Sequence, residues 1–113
     1  MNDLEKTYRV LGLMSGTSLD GLDLCYVEFC KKNKSWSFNI GPAQTLQYTP
    51  EWQENLRNAP QYSGLELAKL HTTFGRFCAQ AVRTFQEEHH LEIDLISSHG
   101  HTVFHRPDLG YSL

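Results

Sequence analysis

The chain reads as an α/β domain with a mixed sheet, its elements in the order β-β-β-α-β. Three observations predict this. Apolar and alternating runs separated by turn residues fill positions 7–48. Ser63 and Glu66 then form a capping-box pair, and apolar residues recur behind it at three- and four-residue steps. An apolar run over positions 93–97 follows, as expected where a crossover helix returns the chain to a strand parallel to the first.

Positions 7–14 read as a buried strand. Positions 22–31 read as its antiparallel partner, with Asp23, Cys25, Val27 and Phe29 on one face and Leu24, Tyr26 and Glu28 on the other. A polar turn around Asn33 follows. Trp36, Phe38 and Ile40 alternate with Ser35, Ser37 and Asn39, the period of a half-buried strand. Gly41-Pro42 interrupts that run. Proline has no N–H to give a ladder, so an edge strand or a bulge is expected there. Leu46 and Tyr48 carry the strand on, and the three strands make a meander.

Pro50 suits the first turn of a short helix over 51–58, anchored by Trp52 and Leu56 and ended by Ala59-Pro60. The long helix runs to about position 88. Its stripe is Leu67, Leu70, Phe74, Phe77, Ala81 and Phe85, widened by Cys78 and Val82, and it reads as core packing. Gly75 lies in mid-helix, where glycine costs about 1 kcal/mol relative to alanine. Close approach of the helix to the sheet is the expected compensation. His71 is expected to be packed or capped, and His89-His90 to be solvated.

A chain of 113 residues, 40% of them hydrophobic, allows one domain with a modest core. Net charge is −3, and without a basic surplus nucleic acid is not an expected partner. No apolar run approaches the roughly 20 residues of a membrane span. Positions 1–6 lack the apolar core of a secretory leader. Three cysteines, an odd number, argue against a disulfide framework, and Cys25 and Cys30 should face opposite sides of their strand. A cytoplasmic protein with no membrane partner is the expectation.

Positions 12–23, GLMSGTSLDGLD, are the densest in chemistry. Gly16 and Gly21 permit positive φ or close backbone approach to a ligand. Thr17 and Ser18 offer hydroxyls and successive N–H groups, the makings of an anion-binding concavity. Asp20 and Asp23 offer carboxylates suited to a magnesium ion held through its waters. Two readings compete: a plain hairpin with a Gly-rich loop, or a hairpin shaped for a nucleoside triphosphate. The loop is denser in Gly, Thr, Ser and Asp than a turn needs, and its flanks are too apolar for a surface hairpin. It is not a Walker P-loop, since no Gly-Lys-Ser/Thr follows.

The decapeptide MSGTSLDGLD, Met14 through Asp23, resembles the N-terminal signature of the anhydro-N-acetylmuramic acid kinase family. SHGHTVFHRP, Ser98 through Pro107, resembles that family's second signature at about the expected separation. The resemblance covers essentially the whole chain but only the opening part of a family member. It implies a ribonuclease H-like (actin-like ATPase) unit, as in actin, hexokinase and sugar kinases, with residues 1–113 as an incomplete N-terminal lobe of two. It implies an ATP-dependent kinase of peptidoglycan recycling. Such enzymes use water to open the 1,6-anhydro bridge of anhydro-N-acetylmuramic acid and phosphorylate O6, giving N-acetylmuramic acid 6-phosphate. On that reading Gly16, Thr17, Ser18, Leu19, Asp20, Gly21, Leu22 and Asp23 bind ATP, and Asp20 and Asp23 orient the waters of Mg2+. Related kinases open this hairpin with an aspartate; here the position is Met14. The general base, the second lobe and the adenosine pocket are expected downstream, so the 113-residue piece alone is expected to be inactive. The expected partner is a small amino sugar. An exposed sheet edge or apolar face is also expected, able to recruit a second copy as a homodimer.

His99-Gly100-His101-x-x-x-His105 is placed just past the carboxyl end of the fourth strand, where open α/β sheets bind ligands. A metal site on His99, His101 and His105 has no nearby Cys or Glu to complete it, although Asp108 is close in sequence. The second reading is polar contact with a sugar or phosphate. The resemblance favours it, with His99, Gly100 and Thr102 binding substrate. The third is structural, a histidine holding a tight turn at Gly100. His105 and Arg106, ahead of Pro107, are as well explained structurally. Many relatives carry glutamine where this chain has His101. Two other functions stay open: a stand-alone nucleotide- or sugar-binding module, or the non-catalytic half of a two-chain assembly. A zinc-dependent hydrolase on the three histidines is a third.

Overall fold

A computed structural model describes residues 5–113; residues 1–4, part of the stretch read above as lacking a leader, lie outside it. The elements are β1 (Glu5–Ser15), β2 (Gly21–Lys32), β3 (Ser35–Gln47), α1 (Pro50–Asn58), a 3-10 turn (Ala59–Gln61), α2 (Gly64–His89), β4 (Leu95–His101), β5 (His105–Arg106), a 3-10 turn (Pro107–Leu109) and β6 (Tyr111–Ser112). The main sheet has the order β3-β2-β1-β4. Its first three strands are an antiparallel meander, and β4 lies parallel to β1. β5 and β6 make a separate two-stranded ribbon. The α/β class and the mixed sheet are as expected. No helix among the described residues is long and apolar enough to cross a membrane.

Alternation along the strands sorts the side chains. Leu11 and Leu13 of β1 and Leu22, Leu24 and Tyr26 of β2 fall on one face, where they meet Leu56 of α1 and Ala81, Val82 and Phe85 of α2. Fully burying side chains of this kind contributes about 1.5–3 kcal/mol each. α2 begins at the predicted capping box: Ser63 Oγ accepts from the Glu66 N–H, and the Glu66 carboxylate accepts from the Ser63 N–H. It ends at His90, whose φ of 52° turns the chain away. The carboxyl half of the apolar stripe is buried on the sheet. Phe74 and Phe77, further forward, join Tyr48 and Trp52 in an aromatic cluster with centroids 5.1–6.5 Å apart.

Four expectations need correction. Gly75 approaches nothing: a Cβ there would meet no atom within 4 Å, so its helix cost is uncompensated by packing. His71 is exposed rather than packed: it shares a side of α2 with Cys78, Val82 and Phe85, but the buried positions of that helix all lie in its carboxyl half. Trp36, Phe38 and Ile40 are 58%, 62% and 65% exposed, not half-buried. They share a face with Tyr8 and Phe29, opposite the helices, where no layer among the described residues covers them. Alternation fixed their common face, but burial needs a covering element. Gly41-Pro42 does mark both things proline predicts, since β3 is an edge strand and its ladder bulges between Cys25↔Ala43 and Val27↔Ile40.

The fourth correction concerns β4, which starts two residues later than positions 93–97 suggest and runs on to His101. Its approach is pinned first. The Asp94 N–H donates to Arg9 O at 2.8 Å, and the Asp94 carboxylate accepts from the Arg9 N–H and guanidinium at 2.9–3.0 Å. The far end extends because Gly100, at φ +75°, takes up one extra residue. The register moves from Leu13↔Ser98 to Ser15↔His101 across that bulge. His99-Gly100-His101 therefore belongs to the last turn of the ladder rather than lying beyond it.

Candidate active site

The loop from β1 to β2 is closed by the Leu19 N–H donating to Gly16 O at 3.2 Å. The positive φ expected of a glycine falls on Leu19, at 60°. Leu19 packs against the core, and that contact holds a conformation a bulky residue otherwise avoids. Gly21 is needed for close approach, though to β3 rather than to a ligand: a Cβ there would lie 2.3 Å from Leu46 O. Gly16 shows neither feature.

Neighbouring elements hold the loop's carbonyls. Gln53 of α1 donates Nε2–H to Leu19 O at 3.0 Å, and the Tyr48 N–H donates to Asp20 O at 3.1 Å. The Leu19 and Asp20 carbonyls are engaged, while Thr17 and Ser18 stand exposed, and their N–H and hydroxyl groups have no partner among the described residues. Successive free N–H groups beside hydroxyls are the donor set an anion-binding turn uses. Leu22 is core, 1% exposed, so its side chain is scaffold.

Asp20 is exposed beside the loop, while Asp23 leaves β2 on the face away from the helices and accepts from Thr45 Oγ1 at 2.6 Å. Magnesium commonly takes one or two carboxylates plus waters and phosphate oxygens. Asp20 is exposed, and Asp23 keeps one oxygen clear of its bond to Thr45, so each carboxylate is open to such an ion. The described residues hold no group of three or more His, Cys, Asp or Glu able to hold a metal, so His99, His101 and His105 do not converge into a zinc site.

The ladder brings the two sequence motifs together, because Ser15, ahead of the loop, is the partner of His101. On the uncovered sheet face, an open cleft of about 430 Å³ is lined by Met14, Asp23, Cys25, Ser97 and His99, among others. Asp23 from the first motif and His99 from the second thus share one depression. His99 Nδ1 lies 3.3 Å from Gly100 O, and the Gly100 N–H donates to Ser98 Oγ at 3.3 Å. Thr102 is half-buried just past the strand. Arg106 pairs with Asp108 at 2.9–3.1 Å, and His105 Nδ1 lies 3.4 Å from Ser112 Oγ, both within the small β5–β6 ribbon.

One part of the site escaped the sequence reading. Ser15 is buried, 3% exposed; its Oγ accepts from Tyr48 Oη–H at 2.6 Å and lies 2.8 Å from His101 Nδ1. Burial lowers the His101 pKa, outweighing a hydrogen bond to the Ser15 main chain, and burial also raises that of the Tyr48 phenol. Ser15 lay inside the first motif, but nothing local linked it to residues 33 and 86 positions away.

Comparison with known proteins bears on these same residues. The family profile described as anhydro-N-acetylmuramic acid kinase matches residues 8–113. The curated anhydro-N-acetylmuramic acid kinase of Acaryochloris marina is 38% identical over 110 residues, covering 92% of this chain and 29% of the relative. That of Microcystis aeruginosa is 37% identical over 111 residues, covering 92% and 29%. That of Actinobacillus pleuropneumoniae is 34% identical over 107 residues, covering 87% and 27%. The chain thus spans less than a third of the length of these relatives. With its profile matched from β1 to the last residue, the chain belongs to the anhydro-N-acetylmuramic acid kinase family.

Proposed function

We propose that these residues form the N-terminal part of the first lobe of a two-lobe, ATP-dependent sugar kinase. The reaction is hydrolytic opening of 1,6-anhydro-N-acetylmuramic acid coupled to phosphorylation of O6, giving N-acetylmuramic acid 6-phosphate. The observation that carries the proposal is the Ser15↔His101 pairing, which sets the two motifs side by side at the carboxyl end of β4. The strand order β3-β2-β1-β4 and its directions support a ribonuclease H-like unit.

Phosphoryl transfer is chiefly positioning and charge stabilisation. In this reading the N–H and hydroxyl groups of Thr17 and Ser18 receive the β- and γ-phosphate oxygens. Gly16, Leu19, Gly21 and Leu22 shape the loop that presents them. Asp20 and Asp23 hold magnesium waters, and the ion offsets phosphate charge when bound. His99, Gly100 and Thr102 face the sugar. The base that activates water, and the adenosine pocket, are expected downstream of these residues.

The test is phosphate transfer from ATP to the anhydro-sugar by the full polypeptide carrying these residues. Product with phosphate on O6 supports the reading. ATP turnover indifferent to the sugar, or none under any condition with folded protein, refutes it. The 113 residues alone are expected to give no turnover.

A further inference from the structure

The contact between Tyr48, Ser15 and His101 has a direction. Tyr48 Oη–H donates to Ser15 Oγ, which leaves the serine one proton of its own and a buried position in which to place it. The acceptor within reach is His101 Nδ1, at 2.8 Å. A hydroxyl donates to a ring nitrogen only if that nitrogen carries no proton. The opposite arrangement, with Nδ1–H donating to Ser15 and Ser15 in turn to Tyr48 Oη, would leave the phenol proton of buried Tyr48 without an acceptor, at the cost of an unmade buried hydrogen bond. Burial of the ring favours the neutral form as well. The proton of His101 then sits on Nε2, which has no partner among the described residues, on a ring that is only half-buried.

We propose that Tyr48 and Ser15 are positioning residues that hold His101 as its neutral Nε2–H tautomer, so that the ring offers one fixed N–H donor to a ligand oxygen where the 16–20 loop meets the 99–102 segment. This rests on the reading of those two segments as one ligand site. Three strand ends converge to build the device: Ser15 closes β1, Tyr48 follows β3 and His101 closes β4. The tyrosine ring is held by Phe74 and Phe77, at 6.5 and 5.7 Å, and its N–H by Asp20 O, so the chain of donors begins from a fixed point. A neutral donor suits an oxygen of either a phosphoryl group or a sugar.

The test uses the full polypeptide with 15N-labelled histidine, His101 assigned by comparison with His101→Gln. Long-range 15N–1H spectra at pH 7.5 are expected to show the Nε2–H tautomer in the wild type. Tyr48→Phe, which keeps the ring, and Ser15→Ala are each expected to admit the Nδ1–H form. ATP alone and the anhydro-sugar alone are then added. The arm that shifts the Nε2–H signal identifies the acceptor as a phosphoryl or a sugar oxygen. In turnover, His101→Gln, whose amide supplies both an acceptor and a donor, is expected to keep kcat/KM within about threefold, whereas His101→Ala loses about tenfold or more. An Nδ1–H or doubly protonated ring in the wild type overturns the proposal. So does a tautomer unmoved by both Tyr48→Phe and Ser15→Ala, a signal indifferent to both ligands, or His101→Ala kinetics equal to those of His101→Gln. Failure to phosphorylate the sugar with the tautomer and its ATP response intact would sink the kinase reading and leave this one standing.

Discussion

Two glycines should respond to alanine in opposite directions. At Gly21 a Cβ would sit 2.3 Å from Leu46 O, 2.8 Å from Leu46 C and 3.0 Å from Gln47 Cα. Comfortable non-bonded separation is about 3.5 Å, so β2 and β3 must part by roughly 1 Å at this pair. The obstacle is main chain and cannot rotate aside. Overpacking of this kind costs about 1–3 kcal/mol, and weakening a neighbouring ladder bond adds about 1 kcal/mol. Gly21→Ala is therefore expected to lose about 2–4 kcal/mol, a large part of the roughly 5–15 kcal/mol that holds a domain together. At Gly75 nothing lies within 4 Å, φ is helical and the site is exposed. Gly75→Ala is expected to gain about 0.5–1 kcal/mol. Urea unfolding of the two variants beside wild type reads both. At a slope of about 2 kcal/mol per molar, the midpoints move down by about 1–2 M and up by about 0.3–0.5 M. A Gly21→Ala midpoint equal to wild type, or a Gly75→Ala midpoint well below it, refutes the packing argument.

Three further outcomes follow from the same contacts. Ser63→Ala removes the hydroxyl half of the capping box and should cost about 1 kcal/mol by thermal or urea unfolding; no loss would mean the cap is not formed in solution. The bonds from Ser63 hold the Glu66 carboxyl below the usual carboxylate range, and those from Arg9 do the same for Asp94. Depressed folded-state values mean that the stability they supply is fully present above the ordinary carboxylate pKa and is lost below it, as pH falls through the depressed folded value; Asp94→Asn should therefore flatten the acid limb of a stability–pH profile, and an unchanged limb would contradict the pairing. Thr17→Ala and Ser18→Ala remove exposed hydroxyls without partners, so unfolding midpoints should stay within about 0.5 kcal/mol of wild type while nucleotide affinity in the full polypeptide falls several-fold; equal affinity by calorimetry would take these hydroxyls out of the site.

Local chemistry was legible in the sequence. Proline at position 42 announced an edge strand and a bulge because its missing N–H constrains any ladder. Ser63 and Glu66 announced a helix start because both ends of the cap lie within four residues. The start of β4 was not legible, since Asp94 is fixed by Arg9 from 85 residues away. Positive φ was expected of glycine by default, yet Leu19 carries it, because core packing outweighs local preference. In the site, the loop's composition pointed to an anion, but the union of Ser15, Tyr48 and His101 exists only once β1, β3 and β4 have stopped at the same end of the sheet.

In the proposed function, the bend between β1 and β2 receives terminal phosphoryl oxygens. The direct measurement is a crystal structure of the full polypeptide with a non-hydrolysable ATP analogue. γ- or β-phosphate oxygens are expected within hydrogen-bonding distance of the Thr17 and Ser18 N–H groups. A triphosphate seated elsewhere, with those groups still facing water, would contradict it.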